Sequence, residues 1–324
     1  MALQYRLHEP EDLPALRALW EAETGWGSIT DTMWRRYVEE HPAGGSAIVV
    51  ATDRDSREIV GEFVFVPSLV WVQGREVRAF RPAAPIVSKR ARGAFANPMH
   101  HPAVAMYNYA AKALRERGDG VIYMVPDPRW VRFLKMFPML AAGTFPLWQV
   151  PVPLDAPLAL GDGHAAAPIA PDDPRVDALW ASTREQYRCA VVRDARALGW
   201  RLGGGEYDVV GIERAGELVG LSASRAKGDR QWLICDVMAR DEGALHAALA
   251  AAVNLGHARA LADGDGPGAV RKATVLVTPR MEPVARALGF VRDAYDFPLM
   301  VHILDASLSK ADLAPAHWYV SATD

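Results

Sequence analysis

The sequence predicts an α/β (α+β) protein made of two lobes of the same kind, each built of strands and helices in succession. Three observations predict it. Hydrophobic residues recur at helical spacing in some stretches and alternate or run unbroken in others, and the two kinds of stretch follow one another along the chain. A Pro/Ala/Gly-rich segment between Pro151 and Pro174 shows little of either period and reads as a linker, with room for a short strand. The order of elements before that segment is repeated after it. A chain of 324 residues accommodates two domains of roughly 150 residues each. The expected division is 1–153, a linker 154–173, and 174–324.

In the first half, Tyr5–His8 reads as a strand and Glu11–Glu23 as a helix with Leu13, Leu16, Leu19 and Trp20 on one face. Thr30 or Asp31 caps a second helix, Thr32–Glu40, which stops before His41-Pro42. Strands follow at Ala47–Ala51 and Ile59–Val66, around the polar turn Thr52–Arg57. Leu69–Val72 continues extended to a turn at Gln73-Gly74, and Glu76–Ala79 begins a strand that leads into a basic glycine turn at Arg90-Ala91-Arg92-Gly93-Ala94. Pro102 suits a first helical position, and Val104, Met106, Tyr107, Ala110, Ala111 and Leu114 mark the buried face of the helix it opens. Val121–Val125 reads as a buried strand, Pro128–Phe137 as a helix, and Trp148–Val152 as the last strand of this half.

The second half repeats the plan. Val176–Tyr187 and Asp194–Leu202 are helical, and Tyr207–Ile212 and Leu218–Ser222 are strands around Arg214-Ala215-Gly216. Trp232–Met238 is a strand, Glu242–Leu261 a long Ala/Leu helix, and Ala273–Val277 a buried strand. The next helix ends in Leu288-Gly289-Phe290, where the glycine closes the helix in left-handed geometry and the phenylalanine packs back on it. Phe297–Leu304 is the final strand. Ile59-Val60-Gly61 and Leu218-Val219-Gly220 occupy the same point of each half, as do Trp34-Arg35 and Trp200-Arg201.

Composition narrows the partners. Half the residues are hydrophobic and 23% are charged, as in ordinary globular proteins. A net charge of −3 provides no basic footprint for nucleic acid or an anionic membrane. No apolar run reaches the roughly 18 residues of a membrane span, and the opening residues lack the apolar core of a signal peptide. Cys189 and Cys235 suit a reducing compartment, so the expected location is cytoplasmic. No metal is expected. His100-His101 has no carboxylate or thiolate at ligand spacing, and Asp263-Gly264-Asp265-Gly266 lacks the late glutamate of a calcium loop, with Thr274 in its place.

The turn after Val87 carries the chemistry. A basic glycine turn before a helix can direct backbone N–H groups and the charges of Arg90 and Arg92 at a phosphate. Arg90-Ala91-Arg92-Gly93-Ala94-Phe95 resembles the acyl-CoA pyrophosphate loop of the GNAT superfamily of N-acyltransferases, Gln/Arg-x-x-Gly-x-Gly/Ala, with Phe95 departing at the last position. The element order from Tyr5 to Pro153, the opening Arg6–Leu16 and the Leu288-Gly289-Phe290 turn are similar to that superfamily too. The resemblance implies two tandem GNAT-like domains, each a mixed, largely antiparallel sheet flanked by helices, and an acyl group moved from acetyl-CoA or another acyl-CoA to an amine. The acceptor would be a small metabolite, an amino sugar or a peptide, and a homodimer stays open. It implies a CoA site at Val87, Arg90, Arg92, Gly93 and Ala94. The family's acid, a tyrosine about four residues before a Gly-Phe pair, is replaced by Leu134, with Phe133 beside it, and by Ala285 in the second half.

Substitutes are drawn from elsewhere: Tyr107, Tyr109 and Tyr123 as acids, and Glu62 and Asp236, carboxylates inside apolar strands, as bases. Trp26, Trp130 and Trp148 are candidate pocket walls. The counterpart loop, Arg240-Asp241-Glu242-Gly243, carries two acids that repel a pyrophosphate, which favours the first lobe for CoA. Two other readings remain: a non-catalytic binding or scaffold protein on a GNAT frame, and an aminoacyl transferase of the peptidoglycan-bridge type.

Overall fold

The computed structural model describes residues 2–93, 100–228, 230–266 and 268–323. The chain forms two compact units. The first comprises Met1–Val70, Glu76–Ala142 and Leu299–Ala311, and the second Trp71–Arg75, Gly143–Pro298 and Asp312–Asp324.

The first unit contains β1 (Leu3–Leu7), α1 (Leu13–Thr24), α2 (Asp31–Trp34), β2 (Ala47–Asp53), β3 (Ile59–Val72) as far as Val70, β4 (Arg75–Val87) from Glu76 onward, α3 (Lys89–Arg92), α4 (Pro102–Glu116), β5 (Val121–Met124) and α5 (Val131–Leu134), in the order the sequence predicts. Local chemistry sets the ends. Thr30 accepts from the N–H of Met33 and caps α2, which continues as a π turn over Arg35–Glu39. His101 accepts from the N–H of Ala103 at the start of α4, so the histidine pair has a capping task there, and Pro102 is the first helical residue.

β1, β2 and β3 pair antiparallel, and β4 runs parallel to β5. One face of this sheet packs Val49, Ala51, Phe63 and Phe65 against Met106, Tyr107 and Ala110 of α4. The other packs Ile48 and Val50 with Leu16 of α1 and Trp34 of α2. β3 runs unbroken through Pro67, beyond the expected end at Val66. The β2 ladder ends at the Ala47–Phe65 pair, so the missing N–H of Pro67 removes no bond from it.

The second unit contains β6 (Leu140–Pro151) from Gly143 onward, β7 (His164–Pro168), α6 (Arg175–Thr183), β8 (Cys189–Val191), α7 (Ala195–Leu202), β9 (Asp208–Arg214), β10 (Glu217–Lys227), β11 (Gln231–Ala239), α8 (Glu242–Asp263), β12 (Lys272–Leu276), α9 (Glu282–Ala287), the first part of β13 (Val291–Ile303), and β14 (Trp318–Tyr319). Its sheet runs β6-β12-β11-β10-β9-β7, parallel at β11–β12 and antiparallel at the other four pairs. The expected linker thus supplies β7, which pairs with β9. α8 packs on β10 and β11, where Gly256 leaves room for the Trp232 ring; a Cβ there would lie 2.7 Å from it. The Leu288-Gly289-Phe290 turn forms as expected, with Gly289 at φ +82° and the Phe290 N–H donating to the Ala285 carbonyl.

Each unit also takes a strand from the other half of the sequence. β6 pairs with β12, with Leu147 opposite Leu276 and Pro151 opposite Lys272. The end of β13 pairs with β5, Met300 opposite Met124 through Ile303 opposite Val121. The hydrophobic pattern of either strand satisfies either sheet, so periodicity alone does not fix its partner.

Candidate active site in the first unit

Among the described residues β4 and β5 are paired at two positions, Ala79 with Val121 and Phe80 with Ile122. Beyond them β4 carries Pro82 and Pro85, which lack the N–H a ladder needs, and β5 ends at Met124 shortly before Pro126. A cavity of about 320 Å3 borders these four residues. Phe63 of β3, Tyr107 of α4, Phe133 and Leu134 of α5, and Phe137 and Met139 line it as well, together with Trp26, Trp130 and Asp127. Leu134, at the position that the resemblance assigns to the tyrosine, and Phe133 beside it are therefore cavity wall. Trp26 and Trp130 are also walls, whereas Trp148 is buried in the second unit beneath the guanidinium of Arg286.

Tyr107 is buried, and its hydroxyl lies 3.2 Å from Nδ1 of His302 on β13. Nε2 of His302 lies 3.4 Å from Arg115 on α4. Burial raises the phenol well above its ordinary range, so it is neutral. Burial first, and the charge of Arg115 second, lower the pKa of His302. His302 and Arg115 carry no sequence signal, because a lone histidine on a final strand and an arginine on a helix have no motif between them. Tyr109, the other helix tyrosine, is exposed.

The remaining expected residues are dispersed. Glu62 lies opposite Val50 in the β2–β3 register and so on the α1/α2 face, while its neighbour Phe63 faces the cavity. It is buried, its Oε1 has no hydrogen-bond partner among the described residues, and burial pushes its carboxyl up to about 8. Tyr123 is buried on β5 and does not line the cavity; its hydroxyl lies 3.2 Å from Ser68 Oγ on β3. Ser68 and Glu62 stand roughly 20 Å apart along that strand, so Tyr123 and Glu62 are not brought together.

At the basic turn, Ser88 Oγ accepts from the N–H of Ala91 and caps α3. Val87 is core, available to a ligand through its backbone. The N–H of Lys89 and the guanidinium of Arg92 both donate to Glu23 of α1, at 3.0 and 2.7 Å. Arg90 donates to Glu58 at 2.8 Å and lies 3.6 Å from Asp53. Gly93 has φ −72°, and a Cβ on it would meet only the Lys89 carbonyl at 3.7 Å, so neither conformation nor crowding among the described residues requires glycine there. Ala94 and Phe95 lie outside the described residues. Beside this turn a groove of about 740 Å3 is bounded by Arg6, Asp12 and Glu23 and by Glu58, Lys89 and Arg90.

In the second unit, Asp236 on β11 is buried and fully engaged. Arg193 Nε lies 3.0 and 3.2 Å from its two oxygens, the Tyr319 hydroxyl donates at 2.9 Å, and Ser321 Oγ lies 3.3 Å away. These contacts make it the paired acid that ties the C-terminal segment to the sheet. Asp241 of the counterpart loop caps α8 through the Ala244 N–H and pairs with Arg214. Among the described residues no cluster of three or more His, Cys, Asp or Glu could hold a metal, and no helix is long and apolar enough to cross a membrane.

No protein-family model and no curated protein matches the sequence. Solved structures do. The chain is similar to a conserved protein of unknown function from Enterococcus faecalis V583, named a probable N-acyltransferase, with a TM-score of 0.68, 10% identity, and coverage of 94% of this chain and 73% of that one. It is similar to a GCN5-related N-acetyltransferase from Anabaena variabilis ATCC 29413, at TM-score 0.66 and 14% identity, covering 94% and 73%. It is also similar to Eis1 from Mycobacterium abscessus, at TM-score 0.59 and 14% identity, covering 94% and 74%. These likenesses establish a two-lobed GNAT fold for the chain.

Proposed function

We propose that the protein is an acyl-CoA-dependent N-acyltransferase, acting on the amine of a small metabolite, an amino sugar or a peptide. The observation that carries this reading is the apolar cavity at the point where β4 and β5 part, on a fold shared with solved N-acetyltransferases. Unpaired backbone on parting strands can hold a pantetheine arm, and the turn that follows supplies charge for its phosphates. In this reading Arg90 and Arg92 exchange their carboxylate partners for the pyrophosphate, beside the backbone of Val87, Gly93 and Ala94.

The amine attacks the thioester carbonyl, a C–N bond forms and the C–S bond breaks. Glu62 is assigned the ammonium proton, taken through water on the α1/α2 face, because it is the carboxyl whose proton is exchanged near neutral pH. Asp236 is not assigned that role, since its oxygens are occupied. The departing thiolate takes a proton from Tyr107, which lines the cavity, rather than from Tyr123, which does not; Glu62 then releases its proton to water and the Tyr107 phenolate regains one from water, which returns both groups to their starting state.

One observation favours the non-catalytic reading: the cations of the turn are already paired with Glu23, Glu58 and Asp53. Calorimetric titration with acetyl-CoA, repeated with Arg92→Glu, separates the two. Micromolar binding that the variant loses supports the transferase. Absence of binding to acetyl-CoA and to longer acyl-CoAs overturns it and leaves a GNAT-fold scaffold.

A further inference from the structure

The cavity beside the β4–β5 fork is larger and drier than an acetyl group requires. It holds about 320 Å3, inside the range of roughly 300–1,000 Å3 typical of pockets for drug-sized molecules. An acetyl group has three heavy atoms and, at about 30 Å3 for each water-sized atom, fills under a third of that space.

The walls say what would fill the rest. Phe63, Phe133, Leu134, Phe137 and Met139 present hydrocarbon. Trp26 and Trp130 line the same cavity while 66% and 52% exposed, so an occupant that covers them removes two large apolar rings from water. The one charged lining side chain among the described residues, Asp127, is held by the backbone N–H and the guanidinium of Arg129. The hydroxyl of Tyr107 is engaged by His302. Apart from the one phenolic proton of Tyr107, these walls offer a polar ligand no partner for its donors and acceptors, whereas a hydrocarbon has none to satisfy.

We propose that this cavity binds an extended hydrocarbon chain or aromatic ring, and that the substrate pair therefore includes a hydrophobic acyl thioester or a hydrophobic amine. The assignment to a substrate rests on the acyltransferase reading; the binding of an apolar group does not.

The test is calorimetric titration of the full chain with acetyl-CoA, octanoyl-CoA, ethylamine, octylamine and octanoate, in the wild type, in Leu134→Trp and in Trp130→Ala. The first variant fills the cavity and the second removes a half-exposed wall; should the first not fold, the second carries the comparison. Octanoyl-CoA binding at least tenfold tighter than acetyl-CoA, with most of that advantage lost in the variants, supports the inference and places the apolar group on the thioester. Thioesters binding alike, with octylamine exceeding ethylamine in the same variant-sensitive way, supports it and places the group on the amine. Octanoate or octylamine binding with no thioester bound supports the cavity assignment and defeats the acyltransferase reading. Acetyl-CoA binding with no effect of chain length on either side overturns the inference and leaves that reading standing. No binding by any of the five overturns both.

Discussion

The Tyr107 and His302 rings are stacked 5.8 Å apart at an interplanar angle of 18°, and the hydroxyl of one meets Nδ1 of the other at 3.2 Å. Arg115 fixes the direction of that bond. A guanidinium only donates, so Nε2 of His302 must accept from it. A neutral imidazole then carries its proton on Nδ1 and donates to the phenolic oxygen, which leaves the phenolic proton for another acceptor. The arrangement suits a hydrogen-bond donor beside an apolar cavity.

Tyr107→Phe is accordingly expected to lower kcat by about 10²-fold, the lower end for a positioned acid, with acyl-CoA affinity changed less than about threefold. His302→Phe removes the orienting donor and keeps the phenol, so its loss in kcat is smaller. Steady-state kinetics with titration of the same variants checks both. Equal activity of Tyr107→Phe and wild type would remove Tyr107 from the chemistry.

Glu62 makes stability pH-dependent in an unusual direction. Its carboxyl is raised from the ordinary 4.5 to about 8 by burial. Between those values the unfolded chain has released the proton and the folded chain still holds it. Stability therefore falls as pH rises through this window, by about 1.4 kcal/mol per pH unit, and levels off above pH 8. Glu62→Gln should flatten that slope and overtake the wild type at pH 9 in urea unfolding. If Glu62 is the base, wild-type turnover rises with a midpoint near pH 8 and the Gln variant loses the rise.

Much of the fold is readable in the sequence, because its signals are local. The Leu288-Gly289-Phe290 turn, the proline start of α4 and the paired strand–turn–strand units each depend on a few adjacent residues. The cavity walls are partly readable for the same reason: Trp26, Trp130, Phe133, Leu134 and Tyr107 stand out along the chain. Long-range pairing is not. Phe297–Leu304 alternates as any final strand does, and its place beside β5 brings His302 to Tyr107 from far along the chain. The fork itself is half readable. Pro82 and Pro85 announce a break in a ladder, but not that β5 ends beside it.

Glu23 competes with any phosphate at the basic turn, since it accepts from the Lys89 N–H and from Arg92. The Arg92 side chain is 47% exposed, so the pair stabilises the fold by about 0–1 kcal/mol at most. Glu23→Gln should change stability within that range. It should also tighten acetyl-CoA binding several-fold at low salt, an advantage that shrinks at higher ionic strength. Unchanged affinity would place the pyrophosphate elsewhere than against Arg92.

Asp236 and Arg193 make the opposite kind of pair, with both side chains 1% exposed. Arg193 also lies under the Tyr319 ring and donates to the Val191 carbonyl and to Ser321 Oγ, so the charge of Asp236 holds together β11 and the last residues of the chain. Removing one partner of such a pair strands the other charge in the interior, at a cost of about 3–5 kcal/mol. Asp236→Ala should therefore lower stability by that amount in denaturant unfolding. Asp236→Asn should lose less, because an amide oxygen still accepts from Arg193 and Tyr319. A catalytic carboxylate predicts the reverse pattern, with a small change in stability and a large one in turnover for Asp236→Asn. Measuring both quantities on that one variant decides whether Asp236 ties down the C-terminal segment or takes part in the reaction.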